Sequence, residues 1–263
     1  MFGTQVGRLC LAALALLTSS VIVQAQPAAD SRVVALIRAG KIRVAMFPPQ
    51  FTKNATTGEL GGWGIELARA LGARLRIEAA ASQYPGPDKV LECLAADACD
   101  VGYLVNSPAW ASVVDFSQPF LQQDFTLLVP AGSSIRSVQD ADRAELRIAV
   151  VRNHGSTLAL KRAFKNAKLV DAETLQAAFD VLRNGQADAF ASTRPQLIAD
   201  SLRLSGSAVL EDRYGVNFSV IAVPKGNVGR LAYVNEFIQE AKAAGLVQAA
   251  VDRAGWRGVK VPP

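Results

Sequence analysis

The run KIRVAMF, residues 41–47, returns about a hundred residues later as ELRIAVV, residues 145–151, and each is followed by a loop and an apolar-faced helical segment, GIELARALGARL or STLALKRAF. Farther along, VLECLAADACDVGYLV (90–105) and AAFDVLRNGQADAFAST (177–193) again share one order: helix, polar turn, then an Asp leading a short buried strand. Helical and β-rich segments that alternate in this way predict parallel α/β sheets. Two copies of the order predict two lobes. Half of the chain is apolar and 19% is charged, enough to give each lobe a core and to exclude a disordered chain.

Two extended apolar stretches, DFTLLVPAGSS (124–134) and NFSVIAVPKGN (217–227), each end in Pro and a Gly-containing turn. They read as outward and return crossings, a hinge of two paired strands. The first lobe is then discontinuous, residues 26–127 and 219–263, with LAYVNEFIQEAKAAGLVQAAVDRAG packed back on it, and the second lobe is 128–218. Residues 1–25 carry Arg8, the apolar run LCLAALALLTSSVIV and small residues up to Ala25, the order of a secretory signal peptide cleaved after Ala25. A retained anchor is the alternative, but the run is shorter than the ~20 residues a spanning helix needs. Cys10 lies inside the leader without the small residues that precede a lipid-modified cysteine, so an exported, soluble product is expected.

Export permits a disulfide between Cys93 and Cys99, which a short turn brings within reach; the spacing leaves bonded and free forms equally open. His154 is the only histidine and carboxylates are not clustered, so no metal site and no cofactor is expected. The net charge of +5 comes from dispersed Lys and Arg with no basic run interleaved with aromatics, a solvated surface rather than a nucleic-acid groove.

In open α/β sheets, ligands bind beyond the carboxyl ends of the strands. Four segments therefore become candidates for one cleft: the loop after Phe47, the loop after Val105, RNHGST after Val151, and STRP after Ala191. Within the second, NSPAWASVVDFSQPF opens like a short helix capped by Ser107 with Pro108 in its first turn, and carries Trp110.

Four strings in this order, GKIRVAMFPPQFTKNATTGELGGWGIELARALGARL, CDVGYLVNSPAWASVVDFSQPFLQQDFTLLVPAGSSI, RIAVVRNHGSTLALKRAF and VIAVPKGNVGRLAYVNEFIQEAKAAGLV, resemble the type II periplasmic solute-binding proteins of the amino-acid class (extracellular solute-binding family 3), which serve ABC importers. The resemblance covers nearly the whole mature chain. It implies a periplasmic monomer whose lobes close on one small solute and then dock transiently on an inner-membrane permease.

The resemblance also assigns roles. Relatives that bind α-amino acids place an Arg before the DFS element to clamp the carboxylate, and Trp110 stands at that position here. They place an Asp after the second Asp-led strand to take the ammonium, and Thr193 stands there. An unpaired charge in either place would cost several kcal/mol, so the usual zwitterion is put in doubt. Gly155 to Thr157 match the loop that meets the ligand carboxylate, so Ser156 and Thr157 are expected to face it, with Asn153 beside them; Ser156 capping its helix is the alternative. Arg194 could replace the missing clamp, or be a surface or hinge residue. Phe47, Tyr84 and Tyr103 are expected to line a first-lobe wall with Trp110, each having packing alone as its alternative, while Asn106 and Ser107 are candidate donors. Gly64 stands where the family usually has an acid, a structural variation at a helix start.

Three functions remain open. The first is binding of a small polar or aromatic carboxylate or amino-acid-like solute for an importer. The second is a cyclohexadienyl-dehydratase-like enzyme, which needs a cleft acid; neither Thr193 nor Val105 is one, so no enzyme is expected, and His154 lacks triad partners. The third is a sensor whose closed form docks on a receptor.

Overall fold

The computed structural model describes residues 30–263; the leader expected over 1–25 and its cleavage after Ala25 lie outside the described residues. No described helix is long and apolar enough to cross a membrane.

Helix α1 (Val34–Ala39) ends at Gly40, left-handed at φ 68°, whose N–H returns to the Ile37 carbonyl and turns the chain into β1 (Lys41–Met46). A small hairpin, β2 (Thr52–Lys53) and β3 (Leu60–Gly61), precedes α2 (Trp63–Leu75). Strand β4 (Glu78–Gln83), helix α3 (Pro87–Ala95) and strand β5 (Val101–Val105) complete a parallel βαβαβ unit of strand order β4-β1-β5. Helix α2 packs on the face carrying Val44, Met46 and Tyr103, and α3 on the face carrying Ala45 and Leu104. Covered on both sides, β5 is buried almost throughout. The Gly64 N–H donates to the Gln50 carbonyl at 2.9 Å, and a Cβ at residue 64 would lie 2.7 Å from that oxygen. A side chain there would displace the helix start, which gives the glycine its physical reason.

The expected helix after β5 is a single 3-10 turn (Pro108–Trp110), and the Ser107 side chain makes no capping bond; the backbone bond from Trp110 N–H to Ser107 O at 3.1 Å closes the turn instead. Strands β6 (Val114–Phe116) and β7 (Leu121–Val129) follow. Cys93 and Cys99 are disulfide-bonded, with Cα atoms 5.4 Å apart, joining the end of α3 to the turn before β5.

The second lobe repeats the unit: β8 (Arg147–Val151), α4 (Gly155–Ala163), β9 (Lys168–Ala172), α5 (Leu175–Arg183) and β10 (Ala189–Thr193), then α6 (Arg194–Ser201) and β11 (Ala208–Val209). Strand order is β10-β8-β9, parallel. Thr174 caps α5 by accepting from Ala177 N–H at 3.1 Å. The return strand β12 (Gly215–Pro224) leads to α7 (Val228–Ala243), α8 (Leu246–Arg253) and β13 (Val259–Lys260). Val234, Phe237, Ile238, Val247 and Val251 of α7 and α8 share one core with β1 and α2.

The two sheets join in one ladder. Strand β7 pairs β10 antiparallel at one end and β12 antiparallel at the other, from Leu121↔Ser219 to Phe125↔Gly215, while β12 continues onto β5. The hinge is not limited to the two expected strands: β13 adds a third, pairing Val259 and Lys260 with Gln123 and Gln122 of β7.

Candidate functional site

The register of the hinge places the cleft. Val105, the last residue of β5, lies opposite Ser219, and Ser219 opposite Leu121. Thr193, the last residue of β10, lies opposite Phe125. Four residue steps along β7, from Leu121 to Phe125, offset the two strand ends along the hinge by about 14 Å at ~3.4 Å per residue. The carboxyl ends of the parallel strands of both lobes thus open toward the same hinge segment. A depression of about 640 Å³ beside Pro224 to Gly229 sits at the opposite end of β5, away from these strand ends.

In the second lobe, Asn153 is exposed at positive φ, 58°, a backbone state asparagine tolerates. His154 is the N-cap of α4: its Nδ1 accepts from Ser156 N–H at 3.3 Å and lies 2.7 Å from Ser156 Oγ. Burial lowers the imidazole pKa, so the ring is held neutral, the form that can accept. Neither Ser156 nor Thr157, both expected to face a ligand, presents its hydroxyl to solvent. Both side chains are fully buried, Ser156 against His154, and Thr157 Oγ1 donates to Val151 O at 2.7 Å. Nor does Ser156 cap the helix, since His154 does. What α4 offers a ligand is its first-turn backbone N–H groups and their dipole. Thr193 is half-buried and its side chain makes no capping bond to α6.

In the first lobe, Phe47, Tyr84 and Trp110 pack half-buried in one cluster with Leu91, Val113 and Phe116 over the disulfide. The Tyr84 hydroxyl, however, donates to Cys93 Sγ at 2.9 Å, so this phenol is directed at the disulfide rather than at a ligand. Tyr103 is no part of the cleft wall. It is 1% exposed, with its ring centroid 5.4 Å from Trp63 and 5.9 Å from Phe120. Burial alone raises its phenol pKa, and its hydroxyl has no partner among the described residues. Asn106 is exposed, with its N–H bound to Phe218 O at 3.0 Å. Gln50, unmarked in the sequence reading, ties the strand ends together: its Oε1 accepts from Phe47 N–H at 3.1 Å and its Nε2 donates to Tyr103 O at 3.0 Å.

A family model for bacterial extracellular solute-binding proteins, family 3, matches residues 42–255. The chain belongs to this family. The family-3 chain is 24% identical over 202 residues to the ABC transporter glutamine-binding protein GlnH of Bacillus subtilis, covering 73% of this chain and 72% of that one. It is 29% identical over 154 residues to the virulence sensor protein BvgS of Bordetella bronchiseptica, 57% of this chain but 12% of the sensor. Among solved structures, it is similar to a putative binding component of an ABC transporter from Wolinella succinogenes complexed with lysine, with TM-score 0.68 and 25% identity, over 81% of this chain and 95% of that one.

Within this family-3 fold the Arg194 side chain, a candidate anion contact, is engaged by backbone carbonyls instead. Its guanidinium donates to the carbonyls of Leu210 (2.9 Å) and Glu211 (2.8 Å), and its Nε lies 3.6 Å from Asp124. Asp124 itself, 2% exposed on the hinge strand, also receives Arg213 at 2.8 Å and Lys260 at 3.0 Å. Burial raises this carboxyl, but hydrogen bonds from Arg213, Gln122 and Lys260 outweigh it and bring it to about 2. The acid at the end of β9, Glu173, is paired with Arg152 at 2.6 Å. The groups left at the strand ends, Phe47, Asn106, Trp110, Asn153, His154 and Thr193, include no fixed charge.

Proposed function

We propose that the protein is the substrate-binding component of an ABC importer in the periplasm, closing on a small carboxylate or amino-acid-like solute with an apolar or aromatic body. The carrying observation is Trp110. It stands five residues before Asp115, where amino-acid-binding relatives place a carboxylate-clamping Arg, and Arg194 is committed to the carbonyls of residues 210 and 211. A solute here meets neutral donors, the first turn of α4 and an aromatic wall of Phe47 and Trp110. Hinge closure needs only contacts that are better in the closed state. The relatives' names support the transport reading: GlnH is a glutamine-binding protein of an ABC transporter, and the Wolinella succinogenes protein is a putative binding component of one.

A thermal-shift and calorimetric screen tests this, with aromatic and aliphatic monocarboxylates set against glutamine and lysine. At a hundredfold excess over Kd a ligand stabilises by about 2.7 kcal/mol, and Trp110→Ala should abolish the shift. Tight binding of glutamine or lysine that Trp110→Ala leaves intact would overturn the reading.

A dehydratase-like activity finds little support, since a general acid must hold its proton at working pH and Asp124, at about 2, does not. The sensor reading draws on the match to a segment of BvgS. Crosslinking of the liganded protein in membranes would trap permease subunits on the transport reading and a receptor kinase on the sensor reading.

A further inference from the structure

We infer that the C-terminal segment, residues 256–261, is a strap across the hinge that sets the resting angle between the lobes. The proposal goes beyond the transport reading and needs no ligand identity. Three attachments carry it. Trp256 stacks on Trp63 of α2, centroids 5.5 Å apart and planes 25° from parallel, and Val259 and Val261 join the same first-lobe core. The strand pairing of Val259 and Lys260 with Gln123 and Gln122 falls on the part of β7 that runs between the lobes. Third, Gly258 lies against the second lobe at φ 80°: a Cβ there would lie 2.6 Å from Ile198 Cδ1 and 3.0 Å from Arg194 Cγ, both of α6. A side chain at residue 258 would be strained at that φ and would push the Ile198 and Arg194 side chains aside.

Asp124 ties the attachments together. Its buried carboxylate receives Lys260 from the strap and Arg213 from the loop before β12, with Arg194 of α6 within 3.6 Å. Rotation of the second lobe moves α6 relative to a strap fixed to the first, so the Gly258 contact depends on the interlobe angle directly, and the Lys260 contact through Asp124, which Arg194 of α6 also faces. Contacts made at one angle and lost at another shift the population toward the first. Through that population they scale the apparent affinity of whatever the cleft binds.

The test reads interlobe distance in ligand-free protein. Spin labels go on Lys89→Cys in α3 and Arg162→Cys in α4, both exposed, in the mature protein with the native disulfide retained. Lys260→Ala and Gly258→Ala should each broaden the distance distribution or shift its mean by a few ångströms, as hinge motions do. Arg257→Ala, an exposed neighbour, should match the parent. Unchanged distributions in both strap variants, with parental circular dichroism, would overturn the proposal. A changed distribution in only one of them supports it through that attachment.

Discussion

Arg43 grips Asp100 three times: its backbone N–H donates to Oδ2 at 2.7 Å, its Nε to the same oxygen at 3.0 Å, and its Nη2 to Oδ1 at 2.9 Å. In the second lobe Arg147 makes the same set of bonds to Asp188, at 2.8, 3.3 and 3.0 Å. The Asp that leads the third strand of each unit thus locks that strand to the first one. The duplicated sequence order is a duplicated strand lock.

The two locks should differ in worth. The Asp100 side chain is 5% exposed and Asp188 is 32% exposed, and Asp100 also faces Arg230, 11% exposed, at 3.6 Å, so removing Asp100 takes the carboxylate from the Arg43 N–H and from two guanidinium groups. Asp100→Ala should cost about 3 kcal/mol, in the range for broken buried pairs, and Asp188→Ala about 1 kcal/mol. Urea unfolding of both variants checks the order.

Thr157→Val should separate folding from binding. It removes the buried bond from Thr157 Oγ1 to Val151 O, costing about 1 kcal/mol, and should leave solute affinity unchanged because the hydroxyl faces inward. A tenfold loss of affinity by calorimetry would return the hydroxyl to the ligand.

His154 makes stability depend on mild acid. Burial depresses its folded-state pKa below the ordinary value, about 6.5, so the unfolded chain binds the proton first. Stability should fall as pH drops below that value, until the folded imidazole also protonates. His154→Asn keeps a capping side chain without a titrating ring. Its melting temperature should lose that dependence between neutral pH and pH 5.

Asp124 acts lower on the scale. A carboxyl at about 2 in place of the ordinary value, about 3.9, contributes roughly 2 kcal/mol at neutral pH. The contribution should be present above pH 4 and disappear as pH falls toward 2. Asp124→Asn should be less stable at pH 7 and flatter across that acid range, read by thermal unfolding at a series of pH values.

Much of the fold was legible because strand and helix periods and the Asp-led third strand are local properties, written twice in KIRVAMF and ELRIAVV. The bond between Cys93 and Cys99 was within reach of its spacing but not decided by it. The site was less legible. Alternation assigns a strand residue to a face only when one face is wet, and β5 is covered on both, so nothing local sent Tyr103 into the core beside Trp63. Arg194 has a side chain long enough to point several ways, and only the folded carbonyls of residues 210 and 211 decide which. A two-residue strand such as Val259–Lys260 has no period to read.

By itself, then, the sequence determined the two α/β units, because their helix and strand patterns depend on residues near one another in the chain. Tertiary structure alone decided which side chains reach the cleft and that the C-terminal segment crosses the hinge. Those outcomes depend on which distant carbonyls, carboxylates and rings fall within a few ångströms once the lobes have packed.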